Sequence, residues 1–321
     1  MEGRSRRPVV AVDLGGTKVI AALVSPAGQV IARERAPTSA ANGPQAVVAR
    51  IITTIDWLLS NRGLGVRQVE GICVAAAGPI DMAGGIVSAS PNLPGWDNVP
   101  LRDMIREHYG IDSFLINDAK AAALGEHRFG AGAGVDNMLC VTLGTGIGGG
   151  IVVHGRLYFG HSGGAGEVGH MTIEAGGERC SCGNTGCWEL YASGTAMAKE
   201  ATRRLASGEK SILSGKASII GEDVAAAAAK GDGVAQAAIA RTANYLGIGL
   251  ANLVNIFNPR MIVVGGGLSR MGETLLGPAR QVVNERAFPL LAGACEIVLS
   301  KLGDDAGLLG AAAFAFEGGR V

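Results

Sequence analysis

Neither sign of charge predominates in this sequence: 28 lysines and arginines stand against 28 aspartates and glutamates. A balanced chain carries no electrostatic footprint for nucleic acid or for an anionic membrane surface, so neither partner is expected. Apolar runs of about 18 residues, the length a spanning helix needs, are missing as well. The opening MEGRSRRPVVAVDLGG lacks a signal peptide's hydrophobic stretch and small-residue cleavage site, because Asp13 and a glycine turn interrupt it. These absences point to the cytoplasm. Arg4, Arg6 and Arg7 form only a short basic tail, read as solvated.

A disulfide framework is absent too, although there are six cysteines. Cys73, Cys140 and Cys295 sit in apolar, strand-like runs and are expected to pack as small hydrophobes. The other three, Cys180, Cys182 and Cys187, follow His170 within GEVGHMTIEAGGERCSCGNTGCWE. One imidazole and three thiolates so closely spaced are a natural tetrahedral set for structural zinc, with no open position for a reacting water. Reduced thiols and a metal suit a reducing compartment. Glu167 and Glu189 lie beside these ligands, and spacing alone does not say whether they bind a ligand or balance charge.

Glycine, by contrast, is plentiful, at 51 of 321 residues. It falls at strand ends, which indicates tight turns and close approach of a ligand. The length exceeds that of a usual single domain, so two lobes are the first expectation. VVAVDLGGTKVIAALVSPAGQVIARE reads as apolar strands joined by two turns. A helix is expected over 45–61, strands over 69–76 and 111–116, and a helix over 119–129. NMLCVTLGTGIGGGIVVHGRLY then repeats the opening plan of strand, glycine turn and strand. Helices dominate after the cysteines, the strongest over 239–257 with Ile239, Ala243, Leu246, Leu250, Leu253, Val254 and Phe257 on one face. MIVVGGGLS is a buried strand running into glycines, and the last segment reads as a terminal helix. Interleaved strands and helices give an α/β class.

Three glycine-rich strand ends could hold phosphates. Gly15, Gly16, Thr17 and Lys18 offer backbone amides, a hydroxyl and a charge, without the spacing of a Walker A loop. Gly144, Thr145 and Gly146 form a second turn, and Gly265, Gly266 and Gly267 a third strand end. Each alone reads equally well as a hairpin turn; together they resemble the phosphate and adenosine loops of the actin, Hsp70 and sugar-kinase superfamily. Asn117 and Asp118 stand at a strand-to-helix junction, where either can serve as N-cap. An exposed carboxylate there also suits a base that takes the proton of a substrate hydroxyl. Ser90 to Trp96, which contains Asn92, reads as a surface loop or as a source of polar groups for a sugar.

The ordered set DLGGTK, PNLPGW, INDAKAAALGE, LGTGIGGG, EVGH, CSCGNTGCWE and VVGGGLS resembles the ROK family (repressors, open reading frames, kinases), particularly its bacterial glucokinase-type members. The resemblance spans nearly the whole chain, and the histidine–cysteine block is its most specific part. It implies a two-lobed, actin-like fold with a ribonuclease H-like core in each lobe. The smaller N-terminal lobe would be 1–118, completed by a C-terminal helix over 304–321. The larger would be 119–303, with the zinc motif at 170–187.

Carried over residue by residue, the resemblance makes Asp118 the base for a sugar hydroxyl. Asn92, Asn117, Glu167, His170 and Glu189 would hold other hydroxyls. The first two turns would hold the phosphates of ATP, with magnesium, and Gly265 to Gly267 would border adenosine. The implied reaction is phosphorylation of a hexose, with glucose to glucose 6-phosphate leading and N-acetylmannosamine, N-acetylglucosamine or fructose as alternatives. Polyphosphate as a second donor stays open, and a homodimer is the family expectation. Two other classes compete: a sugar-responsive repressor, which would carry a helix-turn-helix domain ahead of the first strand, and an actin-like ATPase, which would leave the cysteines and Asp118 without a use.

Overall fold

The structure, a computed structural model, describes residues 7–90 and 93–320. In chain order its elements are β1 (Val9–Leu14), β2 (Lys18–Val24), β3 (Val30–Pro37), α1 (Pro44–Ser60), β4 (Ile72–Ala76), β5 (Ile80–Asp81), β6 (Ile86–Ala89), β7 (Asp97–Val99), α2 (Leu101–Tyr109), β8 (Ser113–Asn117) and α3 (Asp118–Phe129). They continue as β9 (Met138–Leu143), β10 (Ile147–Val153), β11 (Arg156–Leu157), α4 (Glu189–Ala192), α5 (Gly194–Ala206), α6 (Gly221–Ala228), α7 (Gly233–Phe257), β12 (Met261–Gly265), α8 (Glu273–Arg286), α9 (Pro289–Ala294), β13 (Glu296–Leu299) and α10 (Ala306–Phe316).

Two five-stranded sheets follow one plan: β3-β2-β1-β4-β8 and β11-β10-β9-β12-β13. In the first, β1 runs antiparallel to β2 and parallel to β4, which is parallel to β8. In the second, β12 is parallel to both β9 and β13. The echo between the two glycine-turn segments is therefore an echo of topology. Central strands such as β4 are buried at every residue, as parallel strands covered on both faces must be. Edge strand β3 instead alternates half-buried and exposed residues and carries Arg33, Glu34 and Arg35, charges that discourage further pairing.

The chain divides into two compact units. One holds the residues up to Asp136, Gly150–Gly166 and the residues from Asp304 on; the other holds Asn137–Gly149 and Glu167–Gly303. The dividing line thus falls after Asp136 and not after Asp118, because α3 is bound to α10 inside the first unit. A Cβ added at Gly310 would lie 1.6 Å from the Ala121 carbonyl oxygen, and one at Gly125 would lie 2.2 Å from that of Ala306. Backbone meets backbone at this crossing. Gly310→Ala must push the helices apart, and overpacking of this kind costs about 1–3 kcal/mol or more. A lower midpoint in thermal or urea unfolding is the expected result, and an unchanged midpoint would show that the crossing yields freely.

Several sequence expectations shift in detail. The strand expected from Val69 begins at Ile72, after a short 3-10 turn at Val66–Gln68. Of the loop expected over 90–96, Ser90, Leu93 and Trp96 are buried, next in sequence to the small sheet β5-β6-β7. Phe257 leaves the buried face of α7 at its last turn and is 39% exposed. Cys295 is not in a strand but follows α9, half-buried, whereas Cys73 and Cys140 are core residues as expected. Burial pushes the Cys73 thiol far up, and pushes that of Cys295 up to about 11.

Candidate active site

In the first unit, β1 and β2 stay paired up to Leu14 and Val19, and Gly15 to Thr17 form the turn before Lys18 opens β2. Gly15 N–H donates to the Lys18 carbonyl at 3.0 Å, and Thr38 Oγ1 donates to the Gly15 carbonyl at 2.6 Å, so the loop is braced from two sides. Among the described residues, the amides of Gly16 and Thr17 have no acceptor. Asp13 precedes this turn, and the motif reading passed over it. Burial pushes its carboxyl up, Lys18 pulls it down and Asp304 pushes it up further.

Asn117 ends β8 and is the N-cap of α3. Its Oδ1 accepts from the amides of Ala119 and Lys120, both at 3.1 Å, and its Nδ2 donates to the Gly78 carbonyl at 3.2 Å. Asp118 is the first helical residue, half-buried, with Oδ1 accepting from Ala119 N–H at 2.8 Å. The position at the helix N-terminus favours its carboxylate form. Asn92 lies outside the described residues.

In the second unit, the turn after β9 is tied to a helix start: Gly194 N–H donates to the Gly144 carbonyl at 2.8 Å. Ser193 caps α5 by accepting from Ala196 N–H. A cavity of about 1320 Å³ opens here, lined by Gly144 and Thr145, by Gly194 and Thr195 at the start of α5, and by Gly267. Its other walls come from α6, α7 and the segment 268–278. Gly146, Gly265 and Gly266 do not line it. Gly266, at φ 83°, instead lets the end of β12 sit on Leu143, where a Cβ would meet the Leu143 carbonyl oxygen at 2.4 Å. Two of the three glycine segments are thus packed together. Sequence reading missed Thr202, Gln236 and Arg270 on the walls, because single polar residues on separate helices carry no spacing signal.

The histidine and cysteines come together as expected. The ligand atoms of His170, Cys180, Cys182 and Cys187 all lie within 4.8 Å of one another. His170 turns Nδ1 toward the cluster, 3.8 Å from Cys180 Sγ, and Cys182 Sγ is 3.6 Å from that of Cys187. Bridges Thr172–Cys187 and Arg179–Thr185 fold the segment, and Asn184 Nδ2 donates to the His170 carbonyl at 3.2 Å. The Asn184 amide draws the exposed Cys182 thiol below its ordinary value, while burial and the neighbouring thiols push Cys187 up to about 12. Beside them stands the acidic Glu189, so the cluster gathers donors that a bound cation would balance. The cluster has the donors and the spacing to hold a metal ion.

Glu189 joins this cluster to the phosphate-type turn. It follows Trp188, fully buried, whose Nε1 donates to the Tyr245 carbonyl of α7 at 2.8 Å. One carboxylate oxygen is 3.5 Å from His170 Nδ1 and 3.4 Å from Cys180 Sγ. The other would be 2.5 Å from a Cβ at Gly146, so a side chain there would displace the carboxylate from its present position. His170 is half-buried and Glu167 exposed.

The comparisons with known proteins decide the family. A model of the ROK family matches residues 9–317. The chain belongs to the ROK family. Among ROK relatives, a glucokinase from Halalkalibacterium halodurans is 40% identical over 311 residues, 95% of this chain and 94% of that protein. A ROK glucokinase structure from Streptomyces griseus, in complex with glucose and AMPPNP, aligns with a TM-score of 0.84 at 36% identity and covers 97% of this chain and 99% of that one. A xylose repressor from Caldicellulosiruptor bescii is 34% identical over 94% of this chain but 76% of its own length. The fold is thus that of the two-lobed ROK sugar kinases. No described helix is long and apolar enough to cross a membrane.

Proposed function

We propose that this protein is a cytoplasmic, ATP-dependent hexose kinase that converts glucose to glucose 6-phosphate. The observation that carries the reading is identity of 40% to a glucokinase along nearly its entire length. The likeness to a structure holding glucose and AMPPNP agrees with it. The repressor likeness is carried by a shared body and brings no observation of its own.

Asp118 then accepts the proton of the attacking hydroxyl, on C6 of the sugar, as general base. Asn117 spends its carbonyl oxygen on the helix and one amide hydrogen on Gly78, which leaves one hydrogen for a hydroxyl. Asn92, Glu167, His170 and Glu189 are proposed to hold the remaining hydroxyls. The nucleotide fits the second unit's cavity, where the start of α5 favours anionic oxygens. Gly144 and Thr145 on the cavity wall, with Gly146 completing their turn, and Gly15, Gly16, Thr17 and Lys18 are proposed to cradle the phosphates; Gly267 is proposed to border adenosine, with Gly265 and Gly266 shaping the strand end that presents it. Magnesium bound with ATP supplies charge neutralisation at the transferring phosphoryl group.

We infer zinc as the metal of the cluster, since a Cys₃His set is characteristic of it. With Nδ1 turned to the metal, His170 has Nε2 left for the sugar. A homodimer belongs to the same reading, and light scattering on the purified protein tests it. The deciding experiment is ADP release with ATP across glucose, mannose, fructose, N-acetylglucosamine and N-acetylmannosamine. Glucose is expected to give the highest kcat/KM. A higher value for an N-acetyl sugar would move the substrate within the family, and sugar binding without turnover would favour a regulator.

A further inference from the structure

Three arginines from separate stretches of the first unit converge on one cavity. Arg128 is next to last in α3, Arg156 opens β11, and Arg320 follows α10. The cavity holds about 440 Å³, with Leu124 and Leu157 as an apolar floor and His127 and Glu317 on its walls. Several arginines elsewhere are paired: Arg203 and Arg204 share Glu200, Arg33 pairs with Asp305, and Arg280 with Glu273. Here none of the three guanidinium groups makes a hydrogen bond or close ion pair among the described residues.

The helix ends do not account for them. The carbonyls of Ala313, Phe314 and Ala315 at the end of α10 already accept from the amides of Glu317, Gly319 and Gly318. The Glu126 carbonyl near the end of α3 accepts from Gly130 and Gly132. The guanidinium groups are therefore not serving as helix caps. Glu317 is half-buried, and burial pushes its carboxyl up while Arg128 pulls it back. His127 is held below its ordinary value by burial and by Arg128, against an upward pull from Asp136, and adds a hydrogen-bonding group to the wall. On the cavity wall one carboxylate, Glu317, faces three exposed arginines, with Asp136 next to Gly155 at the edge.

We propose that this cavity binds a phosphate monoester carried on a small polyol. Guanidinium forks match phosphate oxygens in geometry and charge. The Glu317 carboxylate, unsuited to phosphate itself, accepts from hydroxyl groups on the adjoining carbons, and Leu124 and Leu157 pack against the skeleton. Free phosphate would use the arginines alone and so bind more weakly. The proposal holds whichever sugar the protein phosphorylates.

Calorimetric titration of the full protein tests it, with glucose and AMPPNP present in excess so that the other phosphate-binding positions are filled. The probes are glycerol 3-phosphate, inorganic phosphate and glycerol. Saturable binding is expected for glycerol 3-phosphate, weaker binding for phosphate and none for glycerol. Arg156→Ala with Arg320→Ala, both at exposed positions, should weaken glycerol 3-phosphate by about tenfold or more. Glu317→Gln should narrow the gap between glycerol 3-phosphate and phosphate. Absence of saturable heat overturns the site, as does equal affinity in the double arginine variant. Equal binding of phosphate and glycerol 3-phosphate overturns the polyol part.

Discussion

Asp118→Asn is expected to lower kcat by about 10²–10⁴, the range general-base catalysis supplies, while ATP and glucose still bind. The substitution is close to isosteric. Asparagine Oδ1 can keep the 2.8 Å acceptance from Ala119 N–H, and Asn117 continues to cap the helix with its own oxygen. What disappears is basicity, together with the interaction of a negative charge with the start of α3. That interaction is worth about 0.3–1 kcal/mol, so the unfolding midpoint should fall only slightly. Steady-state ADP release combined with equilibrium binding of both substrates checks the claim. Near-normal turnover in the variant would remove Asp118 from the base role. Loss of turnover together with loss of sugar affinity would make it a binding residue instead.

The parts of this protein that were readable from sequence are those whose cause is local. The β1–β2 and β9–β10 turns announce themselves because apolar strands stop at glycines. The face of α7 follows from periodicity, and Asn258, in the left-handed region at φ 44°, ends that helix where expected. The histidine–cysteine cluster was readable for the same reason: its residues span only 170–187, so spacing stands in for geometry. Asn117 as N-cap was one of two readings of a single position, and the hydrogen bonds now show that it caps the helix.

What escaped has a cause spread along the chain. The assignment of α3 to the first unit depends on glycines at 125 and 310, which no window of sequence joins. Burial of Leu93 and Trp96 comes from long-range packing in the first unit's core, so a turn-rich composition was misleading about exposure. The second unit's cavity draws on four helices and two strand ends between 144 and 278. Its polar wall residues are single letters on otherwise ordinary helices. The link through Glu189 depends on the missing side chain of Gly146, a contact defined by what a residue lacks.

Cys182→Ser is expected to abolish stoichiometric zinc and to weaken glucose binding by about 10–100-fold, with a smaller effect on the nucleotide. Cys182 is the one exposed cysteine of the cluster, so the change removes a ligand without opening the core. The buried Trp188 stays anchored on Tyr245, and the cavity walls from α5, α6 and α7 do not depend on the thiolate. The loss should reach sugar through His170. A metal on Nδ1 fixes the ring and its tautomer and keeps Nε2–H as a donor, whereas a free imidazole can turn and can take up a second proton. Glu189 would feel the same change, because one of its oxygens lies 3.5 Å from that Nδ1. The measurements are zinc content per chain, and KM for glucose and for ATP in parallel. A metal-free variant with unchanged glucose KM would separate the cluster from the substrate and leave it a clip for the 170–187 loop alone. Equal weakening for glucose and ATP would instead trace the effect to Gly146 and its turn, through the carboxylate that now rests against it.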